Sequence, residues 1–334
     1  MEQTKKRASY GFGMGGWSPR LRGQERGDGL TPCEREAAEA CGYNDEVDLP
    51  WDDGGEFDVG PTFCEEPRGA ASDSRVANEK AVEVQEPLAP LIAVVSGSGG
   101  SGRSTLAFLM ACVAAQQGID TVLLEGDLQF GDYGFWLSID DKSSDLSDPY
   151  ACEPVHCQQG FDLYKAPVFP EIADEVSDAL AENLDRIRAG RGLVIADTGG
   201  YWSGFTASLL LQCDLFLMVT DGRAASVNAA VKASELCSRL GVPSARMVVA
   251  CNRWSSRCVL SPADVARSLG VEKAHCIPDG REVVEELLRG GEFKELAESG
   301  NPVVSATSML LQTMLPRVGI PCDLESFRKK GLFK

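Results

Sequence analysis

Between Leu91 and Thr105 the chain runs Leu-Ile-Ala-Val-Val-Ser-Gly-Ser-Gly-Gly-Ser-Gly-Arg-Ser-Thr, an order that few backbone conformations accommodate. Leu91 to Val95 is continuously apolar and rich in β-branched residues, as in a strand buried on both faces. Gly97-x-x-x-x-Gly102-Arg103-Ser104 then follows the spacing of a phosphate-binding loop, with Arg103 where that loop carries lysine. Thr105 to Ala115 continues as a strongly apolar helix. In such a strand–loop–helix unit the glycines let backbone N–H groups converge on phosphate oxygens, and the helix N-terminus adds partial positive charge. Gly97, Gly99, Gly100, Ser101, Gly102, Arg103, Ser104 and Thr105 are therefore the expected nucleotide-binding residues. An ordinary Gly/Ser turn does not need four glycines in six residues at this position.

From Leu88 onward the pattern alternates between strand and helix. Further strands are expected at Thr121–Glu125, Gly192–Ala196, Asp214–Thr220 and Arg246–Ala250. Helices are expected at Glu171–Ala189, Ala224–Leu240, Arg281–Leu288 and Pro302–Leu315, and the polar stretch Ser138–Gly160 reads as a surface excursion. Near-continuous apolar strands alternating with helices predict an α/β fold: a parallel sheet with helices on both faces. This domain is assigned to residues 89–320.

The flanks differ. Residues 1–88 are rich in Gly, Pro, Ser and acids and hold neither helical nor alternating periodicity, so they read as a disordered acidic leader. Cys33 to Cys41 is long enough for a helical turn or two. Trp17, Trp51 and Phe57 stand among acidic neighbours, a pattern also found in segments that fold on a partner. The chain's net charge of −18 argues against a broad nucleic-acid surface, which demands Lys/Arg patches. Twelve cysteines lie scattered without a CxxC pair, and Met1 to Arg7 is polar with no apolar h-region. Reduced thiols in a cytoplasmic protein are the expectation. Cys152-x-x-x-His156-Cys157 is the one cluster weighed as a metal site, and its spacing is not that of zinc. The longest apolar stretch, Leu209 to Val219, falls short of the ~20 residues a membrane span needs.

Ligands of open parallel sheets bind beyond the carboxyl ends of the strands. Asp127, Asp197 and Asn252 fall at such ends. With the loop they could surround one ATP. Ser104 and Asp197 would hold Mg²⁺, Asp127 would orient the attacking water, and Asn252 could read adenine through its amide. Taken singly, an Asp after a strand is more often a turn or cap residue; the chain order with the loop is what lifts the set.

With these residues in hand, positions 90 to about 318 resemble the ParA/MinD group of deviant phosphate-loop ATPases. Within it they most resemble the TadZ/CpaE pilus-assembly proteins. The closer match is carried by Asp127-Leu-Gln-Phe-Gly-Asp132, by Ala166-Pro167 with Pro170-Glu171, by Asn252-Arg253, and by Ile277-Pro278-Asp279. The resemblance implies that Pro278 and Asp279 lie on the adenine side. It also implies an ATP-binding homodimer that marks where a Flp/Tad-type pilus or related secretion machine assembles, recruiting components that include the secretion ATPase. Leu324 to Lys334 mixes large apolar residues with Arg328, Lys329, Lys330 and Lys334. It loosely resembles the basic amphipathic anchors of MinD-like proteins, which implies peripheral contact with the inner face of a membrane. A frayed cationic tail is the plainer reading.

Three departures bear on activity. The group's signature lysine, which reaches the partner's phosphates, corresponds to Ser98, and losing a cation that acts in trans can cost on the order of 10³–10⁵ in rate. The loop lysine is Arg103, whose planar fork is not equivalent to an ammonium. The first carboxylate of the usual Asp-x-Asp is Glu125. The leading segment is also too acidic to form the receiver-like domain that many relatives carry there. Binding with weak or absent hydrolysis is the expectation. The alternatives are an active ParA/MinD-type positioning ATPase, or a reductase resembling nitrogenase iron protein, which would need paired thiolates for a cluster.

Overall fold

The computed structural model describes residues 87–139 and 145–322. The acidic leader, the Cys33–Cys41 segment and the basic tail beyond residue 322 lie outside the described residues. Among those described, eight strands form one sheet in the order β3-β4-β2-β5-β1-β6-β7-β8. These are β1 (Leu91–Ser96), β2 (Thr121–Gly126), β3 (Val155–His156), β4 (Asp162–Tyr164), β5 (Leu193–Thr198), β6 (Leu215–Asp221), β7 (Met247–Trp254) and β8 (Ala274–Pro278). Every pairing is parallel except β3 with β4.

All six residues of β1 are buried, because β5 and β6 flank it and helices cover both faces. Its side chains alternate between two cores. Leu91, Ala93 and Val95 face one, and Ile92 and Val94 face the other. The second core is filled by α1 (Arg103–Gln116), whose residues Leu106 to Ala114 are all buried, and by α9 (Phe293–Glu298) and α10 (Pro302–Met314). The first is covered by α3 (Ala173–Glu182), α4 (Leu184–Arg188), α5 (Gly204–Gln212), α6 (Ala224–Arg239) and α7 (Pro262–Leu269). Two further helices, α2 (Tyr133–Trp136) and α8 (Arg281–Gly290), border the carboxyl ends of the strands. The expected α/β architecture, a parallel sheet with helices on both faces, is the observed one.

Some details differ from the expectations. The helix expected over Glu171–Ala189 is a 3₁₀ turn and two shorter helices separated at Asn183, whose side-chain amide donates to the Ala179 carbonyl at 2.7 Å. Such back-bonding by Asn competes with the helical ladder. The stretch 138–160 is not wholly a surface excursion: Leu146, Cys152 and Cys157 are buried, and β3 pairs along β4. Cys152, His156 and Cys157 do not converge, since His156 is exposed and bonds Asp162 at 2.7 Å.

Candidate functional site

The loop after β1 sits where the strand order switches direction, with β5 on one side and β6 on the other. Its backbone has the conformation its glycines predict. Gly100 and Gly102 have φ of +70° and +84°, a region L-residues rarely enter. Gly102 is also the N-cap of α1, and no side chain caps this helix or places an acid in its first turn. The orphan N–H groups of that terminus are thus left for an anion. Ser101 is 1% exposed, and its Oγ has no hydrogen-bond partner, an unusual state for a buried hydroxyl. Gly99 and Gly100 are exposed, with open space at both Cβ positions. A phosphate group suits this cradle.

Gly97 has a different reason to be glycine. A Cβ there would overlap the Ala229 carbonyl and lie 2.6 Å from the Ala230 nitrogen, so its absence lets the backbone of α6 lie directly on the loop. Gly102 is similarly tight. A side chain would run into the Asn252 amide, whose Nδ2 donates to the Ser101 carbonyl at 2.8 Å. Asn252 is therefore a clasp between β7 and the loop. One N–H of the amide that sequence reasoning aimed at adenine is thus held by the protein backbone.

The structure brings Arg103, Ser104, Glu125, Asp127, Asp132, Tyr133 and Asp197 around one cavity of about 180 Å³. Its centre is an ion pair. Arg103 Nε donates to Asp197 Oδ1 at 2.7 Å and Nη1 donates to Ser96 Oγ at 3.3 Å. Tyr133 Oη donates to the second oxygen, Asp197 Oδ2, at 3.1 Å, and the Ser104 hydroxyl also bonds this carboxylate. Burial pushes the Asp197 carboxyl above its ordinary value even with Arg103 beside it. The Tyr133 phenol is raised well above its own by burial and by Asp197. Ser104 and Asp197 lie together at this cavity. They do so around a guanidinium, with both carboxylate oxygens engaged. That arrangement does not fit a divalent ion held by Ser104 and Asp197, because the ion would meet a fixed cation.

Glu125 was singled out in sequence only as a departure from a motif; the structure gives it a task. Fully enclosed, it accepts the backbone N–H of Tyr133 through Oε1 and that of Ala166 through Oε2, each at 2.8 Å. It thereby ties the Asp127–Asp132 loop to the end of β4. Gly131 is in close contact with it, leaving no room for a side chain. Burial lifts its carboxyl to about 7, against the two backbone N–H groups. A raised carboxyl binds its proton in the folded state first, so its contribution falls as pH rises from about 4.5 to about 7. Over that window the wild type loses on the order of 3 kcal/mol relative to Glu125→Gln, measured by denaturant unfolding at each pH.

Asp127, the expected catalytic residue, accepts the Phe130 N–H at 3.1 Å in a turn, and it borders the cavity. Burial and the neighbouring Asp127 lift the Asp132 carboxyl. On the other side of the loop, Gly102, Thr105, Asn252, Pro278 and Asp279 line a second, smaller cavity together with Val284 and Leu288 of α8. Sequence reasoning missed Tyr133 and Trp136. Trp136 borders the first cavity and stacks on Phe293 with ring centroids 4.0 Å apart.

No family model matches the chain, and no curated protein matches it. Solved structures do. The Pyrococcus furiosus cell division ATPase MinD superposes with a TM-score of 0.60 at 19% identity, covering 69% of this chain and 99% of that one. A ParA family ATPase from Chlorobium tepidum TLS gives 0.59 at 20% identity, covering 67% and 98%. The chain has the fold of the ParA and MinD ATPases. A third structure, the septum site-determining protein MinD of Pyrococcus horikoshii OT3 complexed with Mg-ADP, gives 0.58 at 16% identity, covering 68% and 96%. Each of these three structures is aligned over nearly its whole length. Among the described residues no helix is long and apolar enough to cross a membrane.

Proposed function

We propose that this chain binds ATP at the Gly97–Thr105 loop and works through the bound state, as a localisation scaffold, with hydrolysis slow or absent. One observation carries this reading: the loop's only cation, Arg103, is held on Asp197 at 2.7 Å, while Ser98 stands at the signature-lysine position. The backbone cradle supports binding, and a MinD of this fold carries Mg-ADP. Charge stabilisation of a transferring phosphoryl group is the larger part of such catalysis, and here Ser98 offers no charge and Arg103 is fixed on a carboxylate rather than free to follow the group.

The scaffold reading extends to a homodimer. Phe130 and Tyr201 are 74% and 76% exposed on loops at the carboxyl edge of the sheet, where burial against a second copy would cover them. The Asp127–Asp132 segment is what points to a pilus or related secretion machine, and to its secretion ATPase as partner. The domain boundaries at 89 and 320 and the membrane contact of the tail belong to the same reading. The test uses the full chain. Fluorescent-ATP binding should saturate, and the Ser98→Lys/Arg103→Lys double variant should raise phosphate release by on the order of 10³. Brisk, concentration-dependent release by the wild type would instead favour an active positioning ATPase.

A further inference from the structure

The cavity beneath the loop already contains a cation, and it belongs to the chain. We propose that Arg103 takes the place of the divalent metal, so that the loop holds a nucleotide's phosphates without magnesium. This rests on the nucleotide-binding reading and says what the same site uses for charge.

Four observations support it. Arg103 is fixed rather than mobile: its side chain is 10% exposed and is bonded through Nε and Nη1 to Asp197 and Ser96. Those bonds use two of the five N–H donors of a guanidinium, and Arg103 still borders the 180 Å³ cavity with donors to spare. Asp197, the carboxylate that would ligate a metal, is 2% exposed and accepts from Arg103, Ser104 and Tyr133 together. Tyr133 is itself locked, since its hydroxyl also reaches the Ser104 carbonyl at 2.9 Å and its backbone N–H is held by Glu125. A divalent ion entering here would have to displace a guanidinium from a buried, hydrogen-bonded partner. An arriving phosphate meets that guanidinium with complementary charge, and Arg is the side chain whose fork suits phosphate oxygens.

The remaining acids at the cavity do not rebuild a metal site. Glu125 is committed to two backbone N–H groups and Asp127 accepts the Phe130 N–H through Oδ1, which leaves Asp132 as the other carboxylate on the lining. No cluster of His, Cys, Asp and Glu suited to a metal occurs among the described residues.

Two measurements on the full-length protein decide the matter. In the first, Mn²⁺ is titrated into nucleotide-free protein and followed by electron paramagnetic resonance. Because the chain is acidic and binds cations diffusely, the readout is the difference between wild type and Asp197→Asn. No difference is expected, whereas Arg103→Gln should gain a single site that the Arg103→Gln/Asp197→Asn double variant loses. A Mn²⁺ site in the wild type that Asp197→Asn abolishes overturns the proposal, whether or not the arginine variants fold. In the second, ATP affinity of the wild type is measured by calorimetry in Mg²⁺ and in EDTA. The two should agree within about twofold, and a loss of about tenfold or more on chelation contradicts the proposal. Absence of heat in both buffers would defeat the nucleotide-binding reading itself, while the Mn²⁺ comparison still decides which cation the site holds.

Discussion

Gly97→Ala lowers the stability of the folded domain by about 3 kcal/mol, the upper end of what overpacking usually costs. The reason is that the added methyl meets main chain, the Ala229 carbonyl and the Ala230 nitrogen of α6, and no rotamer change can relieve it. At roughly 2–4 °C per kcal/mol for a domain of this size, the melting temperature drops by about 6–12 °C. Gly99→Ala is the control from the same loop. Nothing lies within 4 Å of its Cβ position, so the effect on stability stays within about 0.5 kcal/mol. Equal effects from the two substitutions, by thermal unfolding, would mean that α6 does not rest on the loop as described. Loop glycines that look alike in a motif thus serve different ends.

Asp197→Ala has the second large effect, and here the sign is what discriminates. A guanidinium 10% exposed loses its carboxylate partner, and breaking a buried pair in this way costs about 3–5 kcal/mol. Were Asp197 instead an uncompensated carboxylate waiting for a metal, its removal from metal-free protein would be neutral or stabilising. Combining Asp197→Ala with Arg103→Met should recover much of the loss, and the coupling from the double-mutant cycle should exceed about 1 kcal/mol. A destabilisation by Asp197→Ala that Arg103→Met leaves unchanged would remove the ion pair from the account.

How much of this was legible in the sequence follows from how local each signal is. β1, its loop and α1 were readable because strand, glycines and apolar helix are contiguous, so neighbouring residues report on one another. α5 was hidden because its apolar residues run almost directly into β6, leaving one long apolar stretch from Leu209 with Gln212 and Asp214 as the sole punctuation. α7 carried a signal that went unused. Ser261-Pro262-Ala263-Asp264 is a capping box, with Ser261 Oγ accepting from the Asp264 N–H and Asp264 Oδ2 accepting from the Ser261 N–H at 3.0 Å. The short strand β4 has too few residues for a period to show.

The site was half legible for the same reason. Ser104 and Asp197 could be paired in advance because one lies beyond the end of β1 and the other near the end of β5, which parallel topology sets side by side. That Arg103 would fill the space between them could not. The two residues are separated by 94 positions, and their contact depends on where the arginine's rotamer settles once β1 and β5 are adjacent. The Asn252 clasp likewise spans 151 positions and depends on Gly102 leaving room for an amide. Glu125 read as a motif defect because its work is done through backbone N–H groups of Tyr133 and Ala166, which leave no trace in side-chain identity.

The fate of one bound nucleotide separates a holding site from a hydrolysing one most directly. Full-length protein in excess over γ-labelled ATP, quenched at intervals after filtration shows the label bound, should retain intact triphosphate for hours. Bound label that is released as phosphate within seconds to minutes by the unaltered chain would contradict a holding site.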